Sequence, residues 1–315
     1  MLRLIFMGTP EFAVPSLEAL YKKGYPILGV FTQPDRKSGR GLELKPSPVK
    51  AKALELGLPI FQPQSLSQTE IYEKLRSLSP DLIVVVAYGQ ILKKNVLDLP
   101  SKGCVNLHSS LLPRWRGAAP IVWAILSGDK ETGVTTQKMA EKLDAGEILL
   151  QSKTAISPQE NAKTLHDRLS LLGADLILKT LEGIESGKLR ATAQDEQLVT
   201  YASKLKKEME ILDLSRTGAD LERQIRALNP WPGTSLWVGR ERLKIKEAVL
   251  RKDIQGFQGM LFEKAGMLLL GSSDGSLELK RLQWEGKKEV TPAEFLNGLR
   301  GRSQKLPIEV GSEPK

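Results

Sequence analysis

Along the first two hundred positions, short apolar runs bounded by Gly, Pro and Asp alternate with segments whose apolar residues recur at helical spacing. RLIFMG, ILGVFT, LPIFQ and DLIVVVAY are rich in Ile, Val, Leu and Phe and have the length of buried strands. The alternation predicts βαβ units, hence an α/β domain of Rossmann-like type with a mostly parallel sheet and helices on both faces. MGTPEF predicts a strand that passes directly into a helix, with Thr9 as cap, Pro10 at the first helical position and Glu11 at the positive end of the dipole. Beyond Val105 the pattern predicts a helix near Ala118 to Leu126, a strand near Val134 to Met139, a turn at LDAGE and a long helix from about Asn161 to Glu185.

From Gln194 to Lys207 the chain turns polar and basic, which predicts a linker at 194–207 between a first domain at 1–193 and a second at 208–315. The second region opens on LERQIRALNPWPG, a short helix stopped by Pro230 and Pro232. SLWVG, ERLKIKEAVL, GMLFEKAGMLLLG and GSLELKRLQW follow, short strand-like runs separated by turn residues. That spacing predicts a small β-barrel rather than a helical bundle.

The composition, 41% apolar and 26% charged over 315 residues, is that of a globular chain too long for one small core. The amino terminus has too short an apolar stretch for a signal peptide, and the longest apolar run, Leu82 to Tyr88, cannot span a bilayer, so no membrane is expected and the predicted location is cytoplasmic. One cysteine excludes an internal disulfide and a cysteine-ligated metal cluster. With only two histidines, no metal is expected. The net charge of +9 points to a polyanionic partner, yet residues 1–200 hold 25 basic and 21 acidic side chains and residues 208–315 hold 18 and 16. Local clusters remain: Arg36, Lys37, Arg40, Lys45, Lys50 and Lys52 in one loop region, and Lys204, Lys206 and Lys207 in the linker. Charge alone favours the reading of each cluster as a solvated loop.

The candidate chemistry lies in CVNLHSSLLPRWRGAAP. An apolar strand ends there in Asn106 and His108, and in open parallel sheets active sites gather at the carboxyl ends of strands. Residues i and i+2 of an extended segment project to one side, so the amide and the imidazole can face one reacting group. Asp144 in LDAGE, after another predicted strand, is a candidate third member, because a carboxylate near an imidazole fixes its orientation. The three types suit acyl chemistry: the amide donates to a developing oxyanion while the imidazole donates or shuttles a proton. On geometry alone the bland account is preferred, with Asn106 as a turn former, His108 as a strand-end residue and Asp144 as an Asx-turn residue beside Gly146. Cys104, inside the strand, is expected to be inert packing. Trp115 is expected to pack under its own loop and Trp231 within the barrel.

The neighbouring motifs resolve the competition. NLHSSLLPRWRGAAP and LDAGEILL, together with FMGTPEFAVPSL, VFTQPDRKSGRG, KPSPVK, VVVAYGQIL, LVTYASKL and IRALNPWPG, resemble the 10-formyltetrahydrofolate-dependent formyltransferases over most of the chain. The far carboxyl terminus matches only loosely. The resemblance implies a catalytic trio of Asn106, His108 and Asp144, a folate cosubstrate bordered by Ser110, Leu111, Leu112 and Pro113, and a second domain resembling an OB fold that helps hold tRNA. Within that family the motifs are most similar to the branch whose acceptor is initiator methionyl-tRNA. On that implication the loop QPDRKSGRGLELKPSPVK meets the acceptor end of the tRNA, with Arg40 as the foremost contact, while Lys45, Lys206 and Lys207 contact phosphates.

Three other readings have distinct signatures. A formyltransferase with a small-molecule acceptor, or a hydrolase of the same folate, shares the trio but needs neither the basic loop nor the barrel. A noncatalytic RNA-binding protein keeps the fold without the reaction. A dinucleotide dehydrogenase is disfavoured because MGTPEF lacks the G-x-G-x-x-G spacing.

Overall fold

The computed structural model describes residues 1–38, 43–301 and 306–313. The chain divides into two compact units. The first comprises Met1–Pro120, Glu131–Ala155 and His166–Ala202, and the second Ile121–Lys130, Ile156–Leu165 and Ser203–Lys315. Each differs from the contiguous domains that the sequence suggests, since two short excursions join the second unit. The expected linker is also divided: residues 194–202 belong to the first unit.

In the first unit the chain runs through β1 (Leu4–Gly8), α1 (Val14–Lys22), β2 (Ile27–Phe31), the hairpin strands β3 (Arg36–Ser38) and β4 (Glu43–Lys45), α2 (Pro48–Glu55), β5 (Ile60–Phe61), α3 (Thr69–Leu78), β6 (Leu82–Val86), the single turn α4 (Lys94–Leu97) and β7 (Cys104–His108). It continues through β8 (Arg116–Gly117), β9 (Glu131–Lys138), β10 (Ile148–Ala155), α6 (Ala162–Glu185, whose first residues up to Leu165 fall in the second unit) and β11 (Tyr201–Ala202), while α5 (Pro120–Leu126) belongs to the second unit from Ile121 onward. The main sheet has the order β10-β9-β7-β6-β1-β2-β5. Pairing is parallel from β7 to β5, and β9 and β10 are antiparallel, as a hairpin must be. The all-apolar strands LIFMG and LIVVV are buried along their whole length because the sheet is covered on both faces. From β1 the chain first builds outward to β2 and β5 and then returns to place β6 on the other side of β1. The order therefore reverses between β1 and β6, where open sheets open a crevice at the strand carboxyl ends.

Local signals explain the connections. Ser47 caps α2 by accepting the Lys50 N–H at 3.0 Å, with Pro48 at the first helical position. Thr9 does not act as the expected cap. Pro10 is extended and precedes a 3-10 turn at Glu11–Ala13, and the Thr9 hydroxyl donates instead to the Tyr88 carbonyl at 2.8 Å, tying the loop after β1 to the loop after β6.

The second unit carries α7 (Gly218–Ala227), β12 (Thr234–Val238), β13 (Glu241–Arg251), β14 (Met260–Lys264), β15 (Met267–Ser272), β16 (Gly275–Trp284), β17 (Glu289–Val290), α8 (Pro292–Gly301) and β18 (Ile308–Glu309). The antiparallel sheet runs β12-β13-β16-β15-β14-β18, with β17 on β16. A two-way backbone bridge between Trp237 in β12 and Gly311 just past β18 joins the two ends of this curled sheet, in keeping with a barrel. Its interior is filled by Leu221 and Ile225 of α7, Leu236, Leu243, Leu261, Leu270, Leu279 and Phe295. Trp231, expected inside this barrel, is 60% exposed, because its NPWPG turn places it outside the strand alternation.

Candidate active site

β7 lies between β6 and β9, and its residues 104, 106 and 108 share one face. Cys104 closes the deep end of that face. Its Sγ lies 3.8 Å from the carbonyls of Val96 and Leu97, and burial pushes the thiol up to about 12. Asn106 is half-buried midway along the strand, and His108 at the strand end is 6% exposed. On the neighbouring strand Gln137 stands opposite Asn106 and Thr135 opposite His108, so all four side chains share a face.

The imidazole is held from both sides. Its Nε2 lies 2.8 Å from the carbonyl oxygen of Trp115, which can only accept, so Nε2 carries the hydrogen and donates. Its Nδ1 faces Asp144 Oδ2 at 3.7 Å, just beyond hydrogen-bond length. The structure thus brings Asp144 to His108 and puts Asn106 on the same strand face. Asp144 has φ 49°, the left-handed conformation that an Asp in a turn tolerates. Its carboxylate is oriented by the Gly117 N–H, which donates to Oδ2 at 2.9 Å, and by the Gln137 amide, which donates to Oδ1 at 3.3 Å.

Behind the trio lies a polar network that sequence reasoning missed. Gln137 Oε1 accepts the Gly146 N–H at 3.1 Å. Gln194 donates to the carbonyls of Asp144 at 2.8 Å and Gly146 at 2.7 Å, and its own carbonyl accepts from Arg116 Nε at 3.0 Å. Arg116 is fully buried and reaches Glu196 through Nη2 at 2.8 Å. Hydrogen bonds from Arg116 and Lys142 hold the Glu196 carboxyl below the usual carboxylate range. The segment 194–202 therefore supplies polar groups to the site. Thr200 Oγ1 accepts the Trp115 N–H at 2.9 Å, and β11 pairs with β8.

The loop 110–113 is fixed from below. Ser110 is fully buried, its hydroxyl donating to the Arg114 carbonyl at 2.6 Å, while its own carbonyl accepts from Thr135 at 2.6 Å. Leu112 is also buried, and Gln151 Nε2 donates to its carbonyl at 2.8 Å. Leu111 and Pro113 are the half-buried members of the loop. Trp115 packs beneath Arg114, whose guanidinium carbon lies 4.4 Å from the ring centre.

A cavity of about 400 Å³ opens at the reversal point between β1 and β6, lined by Thr9, Gln33, Arg36, Lys45, Tyr88 and Gly89 among others. The Gln33 amide nitrogen and the Tyr88 hydroxyl in its lining are buried with no hydrogen-bond partner among the described residues, and such groups are satisfied in most folded proteins. Of the basic cluster, Lys50 pairs with Asp35 at 2.6 Å and Lys52 with Glu18 at 2.7 Å, while Lys45 is exposed. Arg40 lies outside the described residues. Lys206 and Lys207 are exposed in the second unit. Among the described residues no group of three or more His, Cys, Asp or Glu side chains is arranged to hold a metal, and no helix is long and apolar enough to cross a membrane.

Residues 2–181 match the formyl transferase family model, and residues 204–300 match that of the formyl transferase C-terminal domain. The methionyl-tRNA formyltransferase of Geotalea daltonii is 46% identical over 298 residues, covering 94% of this chain and 95% of its own. That of Moorella thermoacetica is 48% identical over 300 residues, covering 94% and 96%. Among solved structures, an N-formyltransferase from Helicobacter canadensis in complex with folinic acid and dTDP-3-aminofucose superposes with a TM-score of 0.67 at 20% identity, covering 89% of this chain and 99% of its own. At that identity it shows a shared fold.

Proposed function

The chain belongs to the methionyl-tRNA formyltransferase family and transfers a formyl group to methionyl-tRNA; we propose that the donor is 10-formyltetrahydrofolate, that the acceptor is the initiator species, and that Asn106, His108 and Asp144 carry the transfer. The observation behind the trio is the imidazole with Nε2 committed to the Trp115 carbonyl and Nδ1 turned toward the Asp144 carboxylate across 3.7 Å. A proton gained by His108 must therefore sit on Nδ1, on the side where a reacting oxygen or a bridging water meets Asp144.

The neutral α-amine of the methionyl ester attacks the formyl carbon. The C–N bond forms, the carbonyl π electrons move to oxygen, and the Asn106 amide together with the charged imidazole stabilises the oxyanion. Asp144 accepts the proton lost by the attacking nitrogen, directly or through water. Collapse of the intermediate breaks the bond to folate N10, which takes up a proton as tetrahydrofolate leaves. Such proton transfer is worth roughly 10² to 10⁴ in rate. No enzyme nucleophile is formed, consistent with a buried Cys104 thiol that stays protonated up to about 12.

The cavity at the β1–β6 reversal suits the charged end of the acceptor. Its lining includes Gln33 and Tyr88, each with a buried polar atom that has no partner among the described residues, and two basic residues, Arg36 and Lys45. Leu111 and Pro113 are the members of the 110–113 loop available to the folate. Arg40, Lys206 and Lys207 are proposed as tRNA contacts, Arg40 for its planar fork and the lysines as phosphate neutralisers. Incubation with 10-formyltetrahydrofolate and charged initiator or elongator methionyl-tRNA tests the reading: formyl-methionine is expected on the initiator species. Absence of product from both tRNAs at saturating folate refutes it.

A further inference from the structure

We infer that Gln194 is the positioning residue for the Asp144 carboxylate, set in its orientation by the buried Arg116. The inference rests on the proposed role of Asp144. Residues 141–146, which carry Asp144, lie outside the strands, and Asp144 itself is left-handed, so the backbone there leans on side chains from elsewhere. Gln194 supplies the brace. Both hydrogens of its amide are used, on the Asp144 carbonyl at 2.8 Å and the Gly146 carbonyl at 2.7 Å. Turning the amide over would set its oxygen against two carbonyls and its NH₂ against a guanidinium. Arg116 Nε, donating to Gln194 Oε1 at 3.0 Å, excludes that orientation.

The burial of Arg116 marks the arrangement as more than a turn cap. A fully buried guanidinium is costly unless its donors are matched, yet Nη1 has no partner among the described residues and the Glu196 partner of Nη2 is 62% exposed. A neutral side chain in place of Arg116 would fill the space at lower cost. What it would not do is hold the Gln194 amide in one sense. The His108–Asp144 separation already exceeds a hydrogen bond, so a further shift of the turn would take the carboxylate out of reach of the imidazole and of any bridging water.

The test is a double-substitution cycle on the full chain, read as single-turnover and steady-state formylation. Gln194→Ala should lower kcat about ten- to hundredfold and leave KM for folate and for methionyl-tRNA within about twofold. In an Asp144→Asn background the same substitution should change kcat by less than about threefold, since there is no longer a carboxylate to aim. Gln194→Glu, of the same shape but lacking the donors, should match the loss. Gln197→Ala, an exposed neighbour, should behave as the parent. Should Gln194→Ala fail to fold, Gln194→Glu and Arg116→Lys carry the same two arms. A loss of equal size in both backgrounds, or parental kcat in the Gln194 variants beside a crippled Asp144→Asn, overturns the inference alone. Parental kcat in Asp144→Asn instead overturns the catalytic reading on which it rests.

Discussion

Gly146 should tolerate no side chain, and the reason is a single close approach. A Cβ built on Gly146 would lie 1.7 Å from the Lys138 carbonyl oxygen and 2.9 Å from its carbon, both backbone atoms that no side-chain rotation can move. Ordinary contact needs more than 3.4 Å, so in Gly146→Ala the end of β9 and the start of β10 must part by more than an ångström. Overpacking of this kind costs roughly 1–3 kcal/mol. The displacement also strains two hydrogen bonds, Gly146 N–H to Gln137 Oε1 at 3.1 Å and Lys138 N–H to the Glu147 carbonyl at 2.9 Å, each worth about 0.5–1.5 kcal/mol. The sum is about 2–6 kcal/mol, a large share of the roughly 5–15 kcal/mol that holds a domain together. At about 2–4 °C per kcal/mol for a unit of this size, melting should fall by roughly 5–20 °C, as calorimetry reads directly. Because Asp144 sits two residues away, kcat at 25 °C should fall as well. Gly298→Ala serves as the control, since nothing lies within 4 Å of that position in α8, and it should gain about 0.5–1 kcal/mol. A Gly146→Ala protein that melts within about 2 °C of the parent and transfers formyl at the parental rate would refute the packing argument.

Replacing His108 with Ala or Asp144 with Asn should each lower kcat by roughly 10² to 10⁴, with the double variant far above the product of the two losses, read from formyl-methionine produced per enzyme. The Cys104 thiol is raised from 9.0 to about 12 by burial, so its contribution to stability is complete below pH 9 and is lost as pH climbs from 9 toward 12. Cys104→Ala should accordingly show a shallower alkaline fall in melting temperature, and a thiol reagent at pH 8 should label the native parent only on unfolding. Replacing Lys206 and Lys207 together with Ala should weaken binding of initiator and elongator tRNA alike and lower the slope of log K against log salt by roughly one to two; an unchanged slope removes both lysines from the interface.

The elements were legible wherever burial and periodicity coincide. LIFMG and LIVVV are strands because their runs are too apolar for anything but a doubly covered sheet, CVNLH is a strand whose apolar start gives way to Asn106 and His108, and the helix read from about Asn161 to Glu185 is α6, Ala162–Glu185. Thr9 was misread for a physical reason. Its cap signal competes with a carbonyl seventy-nine residues away that local sequence cannot display, and Tyr88 wins the hydroxyl. Side chains that share a strand face can be inferred from spacing, so Asn106 and His108 could be paired in advance. The approach of Asp144 depends on a turn whose shape is set from outside it.

The polar segment 194–202 was illegible as part of the site because solvated linkers and segments that feed a buried polar site have the same composition. Both are rich in Gln, Asp, Glu and Thr, and the difference lies only in what accepts or donates across the fold. Gln194 and Thr200 make these contacts with backbone atoms of Asp144, Gly146 and Trp115, which lie far away in sequence and carry no residue signature, while Gln137 reaches the Asp144 carboxylate seven positions on. One local clue did exist. Arg116 sits between a buried Trp and a glycine just before the apolar start of α5, and a basic residue in so apolar a setting needs partners that the loop itself cannot provide. Following that demand leads to Gln194 and Glu196, and through Gln194 to the two carbonyls that hold Asp144 beside His108.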